Sequence, residues 1–594
     1  MIKLFYKKYL KTSVFVFFCI SFFCPVEADI AHGYSVFSKL YHDKSDSRFE
    51  NSLKAPKKGG KISLGIHGSF NSLNPFILMG DSSEAILYTT SRLMEISQNE
   101  PASNYAYTAT GIEVLKDKII FHLNNKATFS NGDKITAEDV IFSFNILLEK
   151  GHPKYRNTYK NIERVESKSD TKVIFYIKKM NKFTPINVGS LPILSKKFFS
   201  NRDFEKALKT PMPASGPYFV KDFNFGKNIL IEKRENWWGE NILSQKNRNN
   251  FKNINFSYFY DQRTQFEAFK AGLIDMRLEF SSKNWYKSYN FKNVKNRKIK
   301  KLTFKTYQPH MANGLYFNTE KFPWNNIKIR RHISSLFDFD WINKHMFYGL
   351  NKKNCSFFPN SPLRAPVNLN SGQKNWISDL KTKFPKESYN HDVCKNNYNK
   401  RSNMKSFQRF MTSIGYKINN NFFFEKDGRE LSLQILINNK SYDRIFRPFV
   451  KILKMAGVNA TIRLVDISVY NSIVESGDFD MIYHRFSQNL IPKEEQAEYW
   501  GSNFARTKGS SNISRIKNKA IDKTINWMIN SNTFEEVINR AQVLDHLLLS
   551  GYYAITGWHP KGHYVAVWDK FQIPEPAKYG RIDVTYWSIT DDSG

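Results

Sequence analysis

Short β-branched apolar runs alternate with stretches of helical periodicity along nearly the whole chain, without an internal repeat, and this pattern builds a mixed α/β fold with long-range strand order. Residues 61–66 read as the first strand and end in the turn-rich run Gly68-Ser69-Phe70-Asn71-Ser72-Leu73-Asn74-Pro75. Loops at the carboxyl ends of strands are common ligand contacts in α/β proteins, though a plain surface turn fits the same residues. Residues 119–123 alternate as a strand, Ser130-Asn131-Gly132-Asp133 supplies a turn, and Thr136-Ala137-Glu138-Asp139 opens a helix. Its apolar face is Val140, Ile141, Phe144, Leu147 and Leu148. At its start the Thr136 side chain is expected to accept from the Asp139 amide, with the Asp139 carboxylate facing the positive helix end. Further strands are read at 171–177, 315–318, 431–437, 460–465 and 479–484, and 213–218 is a rigid turn running into another.

The chain has 594 residues, 41% of them hydrophobic, which suits one large unit or two to three domains and excludes global disorder. Its 89 Lys and Arg against 54 Asp and Glu give a formal charge of +35, which raises nucleic acid or an anionic membrane as a partner. The cations are spread along the chain, however, with no basic tail, zinc-finger spacing, RNP-type aromatic strand pair or isolated basic helix. A solvated surface is the plainer reading, and no nucleic-acid partner is expected. The rings of 30 Tyr and 11 Trp suffice for a cleft lining as well as a core.

Residues 1–28 have the form of an export signal. Lys3, Lys7, Lys8 and Lys11 precede an apolar stretch from Val14 to Cys24 that is too short to span a bilayer comfortably. Val26-Glu27-Ala28 forms a cleavage site, so the mature chain is expected to start at Asp29, carry +32, and be periplasmic in a cell with two membranes. Lipidation of Cys24 is disfavoured because the preceding Ser21-Phe22-Phe23 lacks the required small residues. Cleavage leaves Cys355 and Cys394, which are free or paired with equal plausibility. Two polar stretches, near 240–253 and 384–405, interrupt the pattern, the second as an exposed insertion.

The chain contains no Gly-x-Ser-x-Gly elbow, phosphate-binding loop, His-Glu-x-x-His helix or paired-cysteine zinc spacing. His559 and His563 are four apart, but Pro560 and Gly562 argue against a helical metal face. Glu494-Glu495 and Asp591-Asp592 are acidic pairs that nothing positions at a scissile bond. The chain is therefore expected not to be an enzyme, with no catalytic residue, metal or cofactor.

Read together, the run from Ile120 through Phe129-Ser130-Asn131-Gly132-Asp133 to Phe144, then Ser215-Gly216-Pro217-Tyr218, Arg234-Glu235-Asn236-Trp237-Trp238-Gly239 and Phe266 to Asp275, resembles the extracellular solute-binding proteins of oligopeptide and nickel ABC importers (family 5). Within that family it is most similar to the Yej-type oligopeptide-binding proteins, whose importer also takes up peptide antibiotics of the microcin C kind. His32-Gly33, Ala55-Pro56-Lys57-Lys58-Gly59-Gly60, Phe70 to Phe76, Glu149 to Pro153, Tyr499-Trp500-Gly501-Ser502 and Trp568-Asp569-Lys570-Phe571 carry that subtype. It departs from the subtype at Ile491-Pro492-Lys493-Glu494-Glu495-Gln496, where the pattern has Ser-Pro-Gly-Asn-Glu-Gln.

The resemblance implies a type II periplasmic-binding fold: a first lobe over 29–312 with an inserted subdomain near 105–205, a second lobe over 313–563, and a return to the first over 564–594. It places the crossings near 313–318 and 564–568. It further implies a monomer that captures an oligopeptide in an interlobe cleft for an inner-membrane permease and its ATPase. A peptide in a closed cleft needs charged partners for its ends and polar partners for its backbone. Glu494 or Glu495 is the candidate for the ammonium and Arg485 for a carboxylate. Asn71 and Asn74 are candidates for the backbone, and Tyr499 and Trp500 for stacking, with core and rim roles as the alternatives. A binder of muropeptides, sugars or metal chelates is the rival reading, and an exported polyanion-binding protein a second.

Overall fold

A computed structural model describes residues 30–380, 398–507 and 509–590. The export signal with its cleavage after Ala28, most of the 384–405 stretch and Cys394 lie outside the described residues, whereas Cys355 is disulfide-bonded.

Two mixed sheets organise the molecule. The first has seven strands, in the order Ile299–Phe304, His563–Trp568, Met276–Glu279, Lys61–His67, Asn253–Phe259, Asn228–Lys233 and Tyr218–Asn224. Lys61–His67 runs parallel to Asn253–Phe259, while His563–Trp568 is antiparallel to both its neighbours. The second has five strands, in the order Asn459–Leu464, Ser432–Ile437, Met481–Phe486, Ala312–Phe317 and Ala554–Thr556.

Both faces of each sheet are covered, which is why these strands read as apolar runs rather than as strict alternation. In Ala312–Phe317, Leu315 and Phe317 enter one core while Ala312 and Tyr316 enter another on the opposite face. In His563–Trp568 the same division separates Val565 and Val567 from Tyr564 and Ala566.

A third, four-stranded sheet, ordered Ala109–Val114, Lys118–Leu123, Lys172–Ile177 and Ile162–Ser169, shares one apolar core with the seven-stranded sheet. The helix Ala137–Glu149 packs beside it and starts at Thr136. There the expected capping box forms, the Thr136 side chain accepting from the Asp139 amide and the Asp139 carboxylate from the Thr136 amide. The Thr136 hydroxyl donates to Asp139 Oδ2 (3.2 Å), as does the Thr136 amide (3.0 Å), and Asp139 Oδ1 accepts from the Lys196 amide (3.0 Å). The carboxylate accepts from several donors there, and burial still raises its pKa.

The chain leaves the seven-stranded sheet after Phe304 and enters the five-stranded one at Ala312, then returns between Thr556 and His563. The crossings therefore precede 313–318 and 564–568, which are sheet-interior strands. Their apolar character marks burial in a core, not a connection. Asn313 ties the two crossings together: its Oδ1 accepts from the Trp558 amide and its Nδ2 donates to the Trp558 carbonyl, both at 2.8 Å. Gly557 permits this approach, since a Cβ there would lie 2.1 Å from Asn313 Oδ1.

Candidate functional site

Between the two sheets lies a cavity of about 470 Å³ whose lining comes from both lobes and both crossings. The first lobe contributes the end of Met276–Glu279 and the start of the helix Ser282–Lys287. The second contributes Tyr442 and Arg444 from the helix Lys440–Ala456, and Tyr483 and Arg485 from Met481–Phe486. His310 and Met311 belong to the outward crossing, Trp558 and His559 to the return.

One wall is aromatic. Tyr442 lies 4.1 Å from Tyr483 between ring centroids, Trp558 stacks on Tyr483 at 6.0 Å, and Phe347 packs on Trp558 at 4.8 Å. Facing solvent at the first-lobe side, Phe280 is 85% exposed and Met311 is 49% exposed. Apolar surface with a few polar groups is the usual make-up of a ligand pocket.

Glu279 is the one carboxylate in the lining, and its acceptor capacity is already taken. Buried in the first lobe, it accepts from Arg277 Nε (3.2 Å), the Tyr289 hydroxyl (3.2 Å) and the Ser281 amide (2.8 Å).

The three histidines of the lining stack around the crossings: His310 lies 5.1 Å from His559 and 5.8 Å from His563. Burial, then His563, lowers the His310 pKa to about 4. Burial, then His310, Lys352 and Arg364, lowers that of His559 to about 3. His563 is also lowered, by burial and then Arg581, while Thr306 Oγ1 lies 3.3 Å from its Nε2. Among the described residues no group of three His, Cys, Asp or Glu side chains is arranged to hold a metal ion.

These shifts fix a pH dependence. A histidine whose folded pKa lies below its unfolded value of 6.5 binds fewer protons when folded, so stability present above pH 6.5 is lost as pH falls through the folded value. His310 contributes roughly 3 kcal/mol to that loss. Asp545, raised by burial to about 6, acts oppositely, losing stability as pH rises through that value. The thermal midpoint of His310→Asn should therefore fall less between pH 7 and pH 4 than that of the parent chain. Equal falls would contradict the assignment.

The sequence candidates distribute unevenly. Arg485 lines the cavity, whereas the other six are absent from its lining. Asn74 is buried, donates to the Phe204 carbonyl (3.1 Å) and accepts from the Phe76 amide (3.1 Å), so it braces its own loop. Asn71 likewise accepts from the Asp81 amide (2.8 Å). Trp500 is fully buried among Tyr316, Phe357 and Phe486. Tyr499 packs on Phe486, 4.8 Å away. Glu495 accepts from the Lys493 amide (3.1 Å), and Glu494 is exposed at the start of the helix Glu495–Trp500. Sequence reasoning missed Lys283, Arg444, Tyr442, Trp558 and His310, which come from distant segments that only the fold brings together.

The lobes also touch beyond the cavity. Lys182 donates to the Ser531 carbonyl, Lys493 lies 4.1 Å from the Phe183 ring centroid, and Phe37 packs against both Phe183 (6.0 Å) and Phe534 (6.1 Å). Burial lowers the pKa of both lysines. These contacts favour the present arrangement of the lobes by about 1–2 kcal/mol. The double variant Phe37→Ala/Lys182→Ala should increase the radius of gyration of the ligand-free chain in small-angle scattering, and an unchanged radius would show that the contacts do not hold the lobes together.

The description "Bacterial extracellular solute-binding proteins, family 5 Middle" matches residues 98–508. The chain belongs to that family. Family 5 proteins are periplasmic or extracellular solute-binding components that work with ABC permease and ATPase subunits. The relatives this chain matches are solute-binding proteins rather than enzymes. It is 30% identical over 562 residues to "Probable peptide-binding protein YejA" of Agrobacterium fabrum, covering 91% of each chain. It is 32% identical over 558 residues to "Peptidoglycan-binding protein YepA" of the same organism, covering 89% of this chain and 90% of that one. The fold matches the oligopeptide-binding protein AppA from Bacillus subtilis, solved with a nonapeptide, with a TM-score of 0.61 at 19% identity, over 90% of this chain and 100% of that one. Among the described residues of this solute-binding protein, no helix is long and apolar enough to cross a membrane.

Proposed function

We propose that this solute-binding protein captures oligopeptides in the interlobe cavity and delivers them to an inner-membrane ABC permease. One observation carries the reading: the cavity is lined by both lobes and by both crossings, so an occupant bonds both lobes at once and favours the closed state. The resemblance to a probable peptide-binding protein and to AppA with its nonapeptide supports the peptide as occupant. Arg485 receives a ligand carboxylate, while Tyr442, Tyr483 and Trp558 supply a wall for apolar side chains.

The protein acts as a periplasmic monomer after cleavage behind Ala28, without catalysis, and its uptake range extends to antibiotics of the microcin C kind. The lobe limits of 29–312, 313–563 and 564–594 belong to the same reading, supported by the sheet membership of Ala312–Phe317 and His563–Trp568.

Thermal unfolding of the ligand-stripped mature chain tests this with defined peptide pools of increasing length. A saturable rise in midpoint with peptides, and none with sugars or metal chelates, is expected. A rise only with sugars or chelates would refute the peptide reading.

A further inference from the structure

We propose that the interlobe cavity selects anionic peptides, with Arg485, Arg444 and Lys283 acting together as the recognition element for ligand carboxylates. This rests on the peptide reading above and narrows it to a substrate class.

The charges of the lining do not balance. Three cations enter it, Lys283 from the first lobe and Arg444 and Arg485 from the second. Among the described residues none of the three side chains has an ion pair or a hydrogen bond. The only carboxylate of the lining, Glu279, is committed to Arg277, Tyr289 and Ser281. Asp443, next to Arg444 in sequence, is taken by Arg447 at 2.6 Å. The histidines add no negative charge and stay neutral at neutral pH.

A basic chain has cations everywhere, so their presence alone decides nothing. Many surface cations among the described residues are unpaired too, so the contrast lies in three unpaired cations entering one cavity whose carboxylate is already engaged. Lys570 meets Asp275 at 2.7 Å, Lys321 meets Asp480 at 3.0 Å, and Arg248 meets both Glu95 and Asp583. The cavity cations instead have no partner among the described residues. They are exposed in this arrangement, where they steer an anion inward, and closure around a ligand would desolvate them. Desolvated like charges destabilise the closed form unless the ligand supplies counter-charge, so the site discriminates against neutral and basic peptides at the moment of closure. Their origin in two lobes adds a geometric requirement: an acidic ligand that engages Lys283 and either arginine bridges the lobes, whereas a neutral one leaves repulsion across the cleft. Phe280, Met311 and the aromatic wall keep room for apolar side chains beside the carboxylates.

The test is calorimetric titration of the ligand-stripped mature chain with three peptides matched in length and termini, Ala-Glu-Glu-Ala, Ala-Gln-Gln-Ala and Ala-Lys-Lys-Ala, and with their octapeptide counterparts. The Glu peptides should bind at least about tenfold more tightly than the Gln peptides, and the Lys peptides most weakly. Rising salt should erode the Glu preference alone. Arg485→Gln and Arg444→Gln should each narrow the ratio of Glu- to Gln-peptide affinity several-fold, over and above any loss common to both peptides through the terminal carboxylate, and an unchanged ligand-free thermal midpoint shows that the variants fold. Equal binding of Glu and Gln peptides would overturn the charge selection and leave the peptide reading intact. Binding to heparin with steep salt dependence, and to no peptide, would overturn both.

Discussion

Replacing Arg248 by methionine should lower the stability of the mature chain by about 3–5 kcal/mol, the cost of leaving buried charges unpaired. Arg248 is buried where three parts of the first lobe meet. Its Nη1 lies 3.2 Å from Glu95 Oε1, its Nη2 lies 3.3 Å from Asp583 Oδ2, and Thr585 Oγ1 accepts from Nη2 at 3.3 Å. The Tyr586 ring centroid is 4.5 Å from the guanidinium carbon. Residues 583–586 follow the return strand, so this network fastens the end of the chain to elements far earlier in the sequence. Methionine keeps the apolar stem and removes only the charge. Urea unfolding measures the loss, and the triple variant Arg248→Met/Glu95→Gln/Asp583→Asn should recover part of it, because it abolishes the orphaned carboxylates. A loss under about 1 kcal/mol for the single variant would show that the C-terminal attachment does not depend on this charge.

Trp500→Ala should be comparably costly, about 3–5 kcal/mol, and the cost should fall on the second lobe. The indole stands between Tyr316, Phe357 and Phe486, with centroid distances of 6.2, 5.2 and 4.6 Å. Its Nε1 donates to Gln496 Oε1 at 3.0 Å, and Gln496 Nε2 donates to Gln488 Oε1 at 2.8 Å. Truncation therefore opens a cavity and leaves Gln496 without its donor in a buried place. Unfolding monitored without ligand should show the full effect. A ligand-free chain of unchanged stability that has lost peptide affinity would instead make Trp500 a stacking partner of the ligand.

Strands such as Ser432–Ile437 and Met481–Phe486 are legible in the residues alone because sheets covered on both faces demand uninterrupted apolar sequence. The crossings, which the resemblance places at 313–318 and 564–568, lie instead in the connections just before those two strands. Asn74 is legible as a loop residue but its role is not, because an asparagine that brackets its own turn and one that waits for a ligand have the same local sequence. Arg485 is recoverable because it sits on a strand end beside the loop that the family resemblance singles out. Arg444 and Lys283 are not, because in a chain of 89 Lys and Arg only their place in the cavity lining distinguishes them, and that place is a property of the fold.

The central claim is that a peptide occupies the space between the lobes. Native mass spectrometry of residues 29–594, purified without ligand stripping and then denatured to release its cargo, tests that most directly. The account predicts one short peptide per chain, and a mass shift that returns when the stripped protein meets a peptide library. A chain that releases no peptide, ignores the library and instead binds a polyanion at low salt would contradict it.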